Sequence, residues 1–98
     1  MTSHPNRPQA SPTVQVENAR TIITQWRFAP EAETGWHRHA HDYAVVPLST
    51  GRLRIVGKDG ESFAELVAGQ TYFRQAGVEH NGINASGGEF TFVEIEYR

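Results

Sequence analysis

The chain contains no cysteine. That excludes disulfides, thiolate zinc sites and a thiol nucleophile. It also lacks any apolar run near the roughly 20 residues that a membrane-spanning helix requires. The first residues, Met1 to Pro8, hold no apolar core of the kind a signal peptide carries. The expectation is a cytoplasmic protein with no membrane partner. An excess of one charge is missing too. Nine basic residues stand against eleven acidic ones, a net charge of −2, and the basic residues are scattered. No general attraction to nucleic acid follows, and none is expected as a partner. Helical periodicity is also absent: no stretch keeps a 3.6-residue apolar repeat over three turns. A chain of 98 residues spent on strands leaves no helix-turn-helix for a transcription regulator.

What is present is a series of short alternating or β-branched stretches cut by turn residues. The strands are expected near Thr13–Val16, Thr21–Phe28, Tyr43–Leu48, Arg52–Val56, Glu61–Leu66, Thr71–Arg74 and Glu89–Tyr97. Pro30 and Gly35 break the chain after Phe28. Asp59-Gly60 reads as a hairpin turn. Leu53 and Ile55 fall on the opposite face from Arg52 and Arg54. Short strands with turn signals every several residues indicate an all-β sandwich or barrel. Residues 1–12 hold three of the five prolines with Ser, Asn and Gln and read as a flexible N-terminal arm, with His4 solvated in it. Residues 13–98 form one domain.

In the last strand, Phe90, Phe92, Glu94 and Glu96 share one face. Two phenylalanines beside two glutamates suggest a partly exposed surface, covered either by a partner subunit or by the N-terminal strand. A core this small gains from a second copy, and a homodimer is expected.

Between Gly35 and Gly51 three of the five histidines stand at alternate positions, His37, His39 and His41. Alternate side chains of a strand point to one side. His80 arrives from a distant segment. Imidazole is the commonest neutral metal ligand near pH 7, and such a set suits a divalent ion of Fe, Mn, Ni or Zn. The competing reading is a set of surface histidines in a polar loop. Trp26 and Trp36 read as packing residues, Arg38 points away from its histidine neighbours, and Asn84 fixes a turn. Tyr72, Phe73 and Val45 are expected to line the interior.

These motifs resemble those of a small single-domain cupin. Gly69, Gln75, Gly77, His80 and Asn84 occupy the positions of the family's second motif, with Gln75 where the family has proline. His37-Arg38-His39 matches the centre of the first motif, and Gly51 closes it. The resemblance covers roughly residues 20–97. It implies an all-β, cupin-type double-stranded β-helix (a jelly-roll barrel), a metal bound by His37, His39 and His80, and a small-molecule ligand. The family's fourth ligand, a glutamate, is missing. Asp42 and Tyr43 are the candidates to face inward in its place, and His41 is an extra imidazole. Two functions stay open. One is a metal-dependent oxygenase, isomerase or lyase acting on a small oxygenated substrate, with His41, Tyr43 or Glu79 as base. The other is a non-catalytic cupin that binds or senses a small ligand, its metal structural or absent.

Overall fold

The computed structural model describes residues 6–98. Met1 to Pro5, and with them His4, lie outside the described residues. Nine strands follow in chain order: β1 (Ser11–Glu17), β2 (Thr21–Phe28), β3 (His37–Arg38), β4 (Asp42–Pro47), β5 (Gly51–Gly57), β6 (Gly60–Leu66), β7 (Tyr72–Arg74), β8 (Glu79–Asn84) and β9 (Phe90–Tyr97). They form a five-stranded sheet in the order β1-β2-β9-β4-β7 and a four-stranded sheet in the order β3-β8-β5-β6. Every pairing between these strands is antiparallel. No helix occurs among the described residues. The all-β jelly-roll expectation therefore holds.

Alternation decides which side chains meet between the sheets. Phe28 pairs across with Phe90, and Trp26 with Phe92. Phe28 and Phe90 are wholly buried. The Phe28 and Phe92 rings lie 5.5 Å apart at 37°, a tilted contact that aromatic pairs favour. Val45 of β4 joins them, and Leu53 and Leu66 close the core from the four-stranded sheet. Full burial of one such side chain contributes about 1.5–3 kcal/mol. Gly51 sits where this packing leaves no room. A methyl group on it would come within 2.6 Å of the Phe90 ring.

The β9 register corrects one sequence expectation. Phe90, Phe92 and Glu94 are buried between the sheets, and Thr91, Val93 and Ile95 face outward. The face bearing the two phenylalanines and two glutamates is the barrel interior, not a partly exposed surface. Phe73 is a second correction. It is 52% exposed, because its neighbour Tyr72 takes the inward position beside Val45 and adjacent strand residues cannot share a face. The β5–β6 hairpin closes with Gly57 opposite Gly60, so Lys58-Asp59 forms the tip and Gly60, at φ 125°, is the residue after it.

Structure also begins earlier than residue 13. Strand β1 starts at Ser11. Ala10 is buried, its N–H donates to the Glu33 carbonyl at 2.8 Å, and the Glu33 N–H donates to the Pro8 carbonyl at 3.0 Å. Residues 8–12 of the expected arm therefore dock on the barrel. Backbone bonds, the small apolar side chain of Ala10 and the Gln9 amide, which donates to the Thr34 carbonyl at 2.9 Å, hold them, and composition alone does not reveal these.

Candidate metal centre

Strand β3 lies antiparallel to β8 with His37 directly opposite His80. Paired residues of adjacent strands project to the same side of a sheet, so these two imidazoles are neighbours by register. His39 stands just beyond the end of β3, yet its backbone stays tied to the approach to β8. Its N–H donates to the Val78 carbonyl at 2.9 Å, and its carbonyl accepts from the Gly77 N–H at 2.8 Å. Gly77 has φ 101°, a conformation that glycine adopts without strain. The chain then crosses to the other sheet through Ala40 and His41.

The three imidazoles converge. His37 Nε2 lies 2.9 Å from His39 Nε2, and His39 Nε2 lies 3.2 Å from His80 Nε2. The three ligand atoms all fall within 4.8 Å of one another. The segment before β3 holds them there. Buried Asn81 accepts from the Gly35 N–H at 3.0 Å and donates to Glu33 Oε1 at 2.8 Å. His37 Nδ1 lies 2.9 Å from the Gly35 carbonyl. A carbonyl only accepts, so Nδ1 carries the hydrogen and Nε2 of the neutral ring presents a lone pair to the cluster.

Such a cluster is awkward for the protein alone. His39 Nε2 carries at most one hydrogen, so it can satisfy one neighbouring lone pair and not both. Protonation is no remedy. Burial, then the charges of His37 and His80, push the His39 pKa down to about 3. Burial, then His37 and Arg74, push His80 down to about 4. Near pH 7 both rings are neutral, the form that ligates metal. Nitrogens about 2.1 Å from a common ion and at right angles around it stand about 3 Å apart. The two close separations match, and the three histidines could hold a metal ion.

The register also decides between the two inward candidates. Asp42 is exposed, and its Oδ1 accepts from the Ala76 N–H at 2.8 Å. Tyr43 points inward, and its ring stacks on His39 at 3.9 Å and 16°. Burial raises the phenol's pKa further, so it stays protonated. His41 lies outside the cluster. Glu79 is ion-paired with Lys58 at 2.5 Å and lines a separate surface hollow. Of the three candidate bases only Tyr43 reaches the cavity that the three histidines line, which has a volume of about 260 Å³.

That cavity holds one residue whose role the sequence does not announce. Glu94 lines it with the histidines, Trp26, Tyr43, Tyr72 and Glu96. It is 8% exposed. Burial first, then the neighbouring Glu96 charge, raise its pKa to about 7, while a hydrogen bond from Trp26 lowers it. The signal in the sequence is the alternation itself, because a strand that buries Phe90 and Phe92 turns Glu94 to the same side. Asn81 gives no such signal beyond adjacency to His80. Asn84 does fix a turn: its amide donates to the Phe28, Ala29 and Gly88 carbonyls at 3.3, 3.1 and 2.7 Å.

With this geometry, the similarities to known proteins follow a consistent line. The cupin domain family matches residues 24–96. Beta-alanine degradation protein BauB of Pseudomonas aeruginosa is 64% identical over 92 residues, or 94% of this chain and 97% of that protein. A cupin domain from Bordetella pertussis Tohama I is 53% identical with a TM-score of 0.93, covering 95% of this chain and 97% of that one. A cupin-2 domain protein from Shewanella frigidimarina is 28% identical with a TM-score of 0.64, covering 94% of this chain and 84% of that one. A double sheet in this strand order, two motifs in sequence and a family match spanning most of the barrel agree, and the chain belongs to the cupin family.

Proposed function

We propose that this chain is a metal-dependent cupin that acts on a small oxygenated compound in the breakdown of β-alanine. His37, His39 and His80 would hold one divalent ion of Fe, Mn, Ni or Zn. The observation that carries this reading is the convergence of three Nε2 atoms at 2.9 and 3.2 Å inside a cavity. The 64% identity to a β-alanine degradation protein supports the substrate class. When bound, such an ion supplies a Lewis acid with coordination positions open toward substrate. The chain's own residues do the rest. Stacking against Tyr43 holds the His39 ring in place. Trp26, Tyr72 and Phe92 wall the cavity and limit water. The Tyr43 hydroxyl, kept protonated, is a hydrogen-bond donor beside the cluster.

One observation favours a non-catalytic binder as second reading: the cluster contains no carboxylate, where the family's first motif has a glutamate. Protein purified without a histidine tag, assayed by elemental analysis and incubated with β-alanine and its breakdown products under NMR, separates the two. About one ion per chain, with turnover that chelation abolishes, is the expected result. Metal without turnover selects the binder. No metal in any preparation sinks the proposal.

A homodimer would cover the outer face of the five-stranded sheet. Ile23, Val46, Val93 and Ile95 are half-buried there, and the Phe73 and Tyr97 rings, 6.3 Å apart, are 52% and 45% exposed. A barrel of this size gains from burying that face in a second copy. Sedimentation equilibrium should give twice the chain mass, and Phe73→Asp should lower it. A wild-type monomer at micromolar concentration rules the dimer out.

A further inference from the structure

We propose that Glu94, assisted by Glu96, receives the ammonium end of the molecule whose oxygen-bearing end lies at the histidine cluster, so that the cavity selects short amino acids with the amino group remote from the carboxylate. The proposal rests on the reading that this cavity binds a small molecule, and deepens it.

Three observations carry it. First, a carboxylate that is only 8% exposed is costly to bury without a cation. Among the described residues no lysine, arginine or histidine is ion-paired with Glu94; its hydrogen bond comes from the neutral Trp26 indole. Second, Glu94 lines the same cavity as the three histidines but is not among the ligand atoms gathered within 4.8 Å of one another. A carboxylate placed there serves a ligand and not the ion. Third, the polar groups of the cavity are divided between the two sheets. The histidines of β3 and β8 stand on one sheet, and Glu94 and Glu96 stand on β9 in the opposing sheet. Arg38, exposed and paired across the strands with Glu79, turns away from the cavity. Arg74 is engaged elsewhere, over the Tyr72 ring at 4.7 Å.

A molecule with oxygen atoms at one end, for the histidine cluster, and a cation at the other, for the carboxylates, complements that division. Trp26, Tyr43 and Tyr72 line the space between, and aromatic faces attract a cation. A volume of about 260 Å³ lies below the roughly 300–1,000 Å³ typical of sites for drug-sized ligands, so the occupant is short.

The experiment measures binding of β-alanine and of propionate, which lacks the amine, by titration calorimetry. Protein as purified is used, and its metal content is determined on the same samples. Wild type should prefer β-alanine by at least about 30-fold, the scale on which a buried charge pair discriminates. E94Q should reduce the preference to about threefold or less, with propionate affinity and metal content unchanged, and E94D should fall between. Melting curves of both variants establish that they fold. A wild type that binds the two equally, or binds neither, overturns the inference, as does E94Q retaining the preference. Metal present without an amine preference removes this inference alone. An amine preference in protein that never holds metal upholds it and removes the metal reading.

Discussion

Replacing His39 by alanine is expected to reduce bound metal from about one ion per chain to under about a tenth, and to abolish any chelator-sensitive turnover. His39 is the middle member of the cluster, since its Nε2 lies within 3.2 Å of both other imidazoles. Its removal leaves two nitrogens and opens a gap beside the Tyr43 ring. Mutation of a residue that only orients a ligand costs about 10–100-fold in metal affinity. Loss of a ligand should therefore cost at least about 100-fold. The melting temperature of the metal-loaded protein falls with it, because an ion that binds only the folded state stabilises it by RT ln(1 + c/Kd), with c the free ion concentration, and this shrinks as Kd rises. Two controls give the result its meaning. His41→Ala should leave metal content unchanged, since His41 is outside the cluster. Tyr43→Phe should also keep the ion, because the stacked ring remains. Undiminished metal in His39→Ala would show that the ion binds elsewhere or that His37 and His80 suffice.

The cluster is legible in the amino-acid sequence because alternation places His37 and His39 on one side and the second motif supplies His80. Strand register carries the rest of what is readable. Thr21–Phe28 is a strand with the bounds its β-branched and aromatic composition suggests. Leu53 is buried and Arg52 exposed, as their alternation requires. Three things are not legible, each for a physical reason. Whether Asp42 or Tyr43 faces inward depends on where β4 begins, and a slip of one residue inverts the face. The docking of Pro8 to Ala10 rests largely on backbone hydrogen bonds, which most side chains permit, helped by the Gln9 amide and buried Ala10. The role of Glu94 is hidden because a glutamate beside phenylalanines reads as a surface residue until the pairing of β9 between β2 and β4 turns that face into the interior. A polar group buried against local preference often marks a functional position.

Glu94→Gln is expected to make the protein more stable at high pH and no more stable at low pH. Glu94 has a folded-state pKa of about 7 against an ordinary 4.5, raised by burial first and by Glu96 second. Below pH 4.5 the carboxyl is protonated in both states, and glutamine should match it. Between pH 4.5 and 7 the folded state keeps a proton that the unfolded chain has released. The folded state binds more protons there, so stability falls as pH rises. Above about pH 7 the whole penalty is present, on the order of 3 kcal/mol for a shift of this size. His39 and His80 act with the opposite sign. Their folded pKa values lie below 6.5, so they favour folding increasingly as pH rises toward 6.5. That contribution is common to both proteins and cancels in the difference between them. Urea unfolding of wild type and E94Q, both stripped of metal, should give curves that coincide near pH 4 and diverge to about 2–3 kcal/mol in favour of E94Q by pH 8.5. The glutamine carbonyl can still accept from Trp26, so no hydrogen bond need be lost. Curves that run parallel across this range would mean that the Glu94 carboxylate carries no net burial penalty. Curves that diverge in favour of wild type would mean a cationic partner within the protein. In either case a ligand ammonium would have no uncompensated charge to meet. Divergence of the expected sign would mean that the barrel tolerates a destabilising carboxylate in its cavity, which a protein retains when the group serves a ligand rather than the fold.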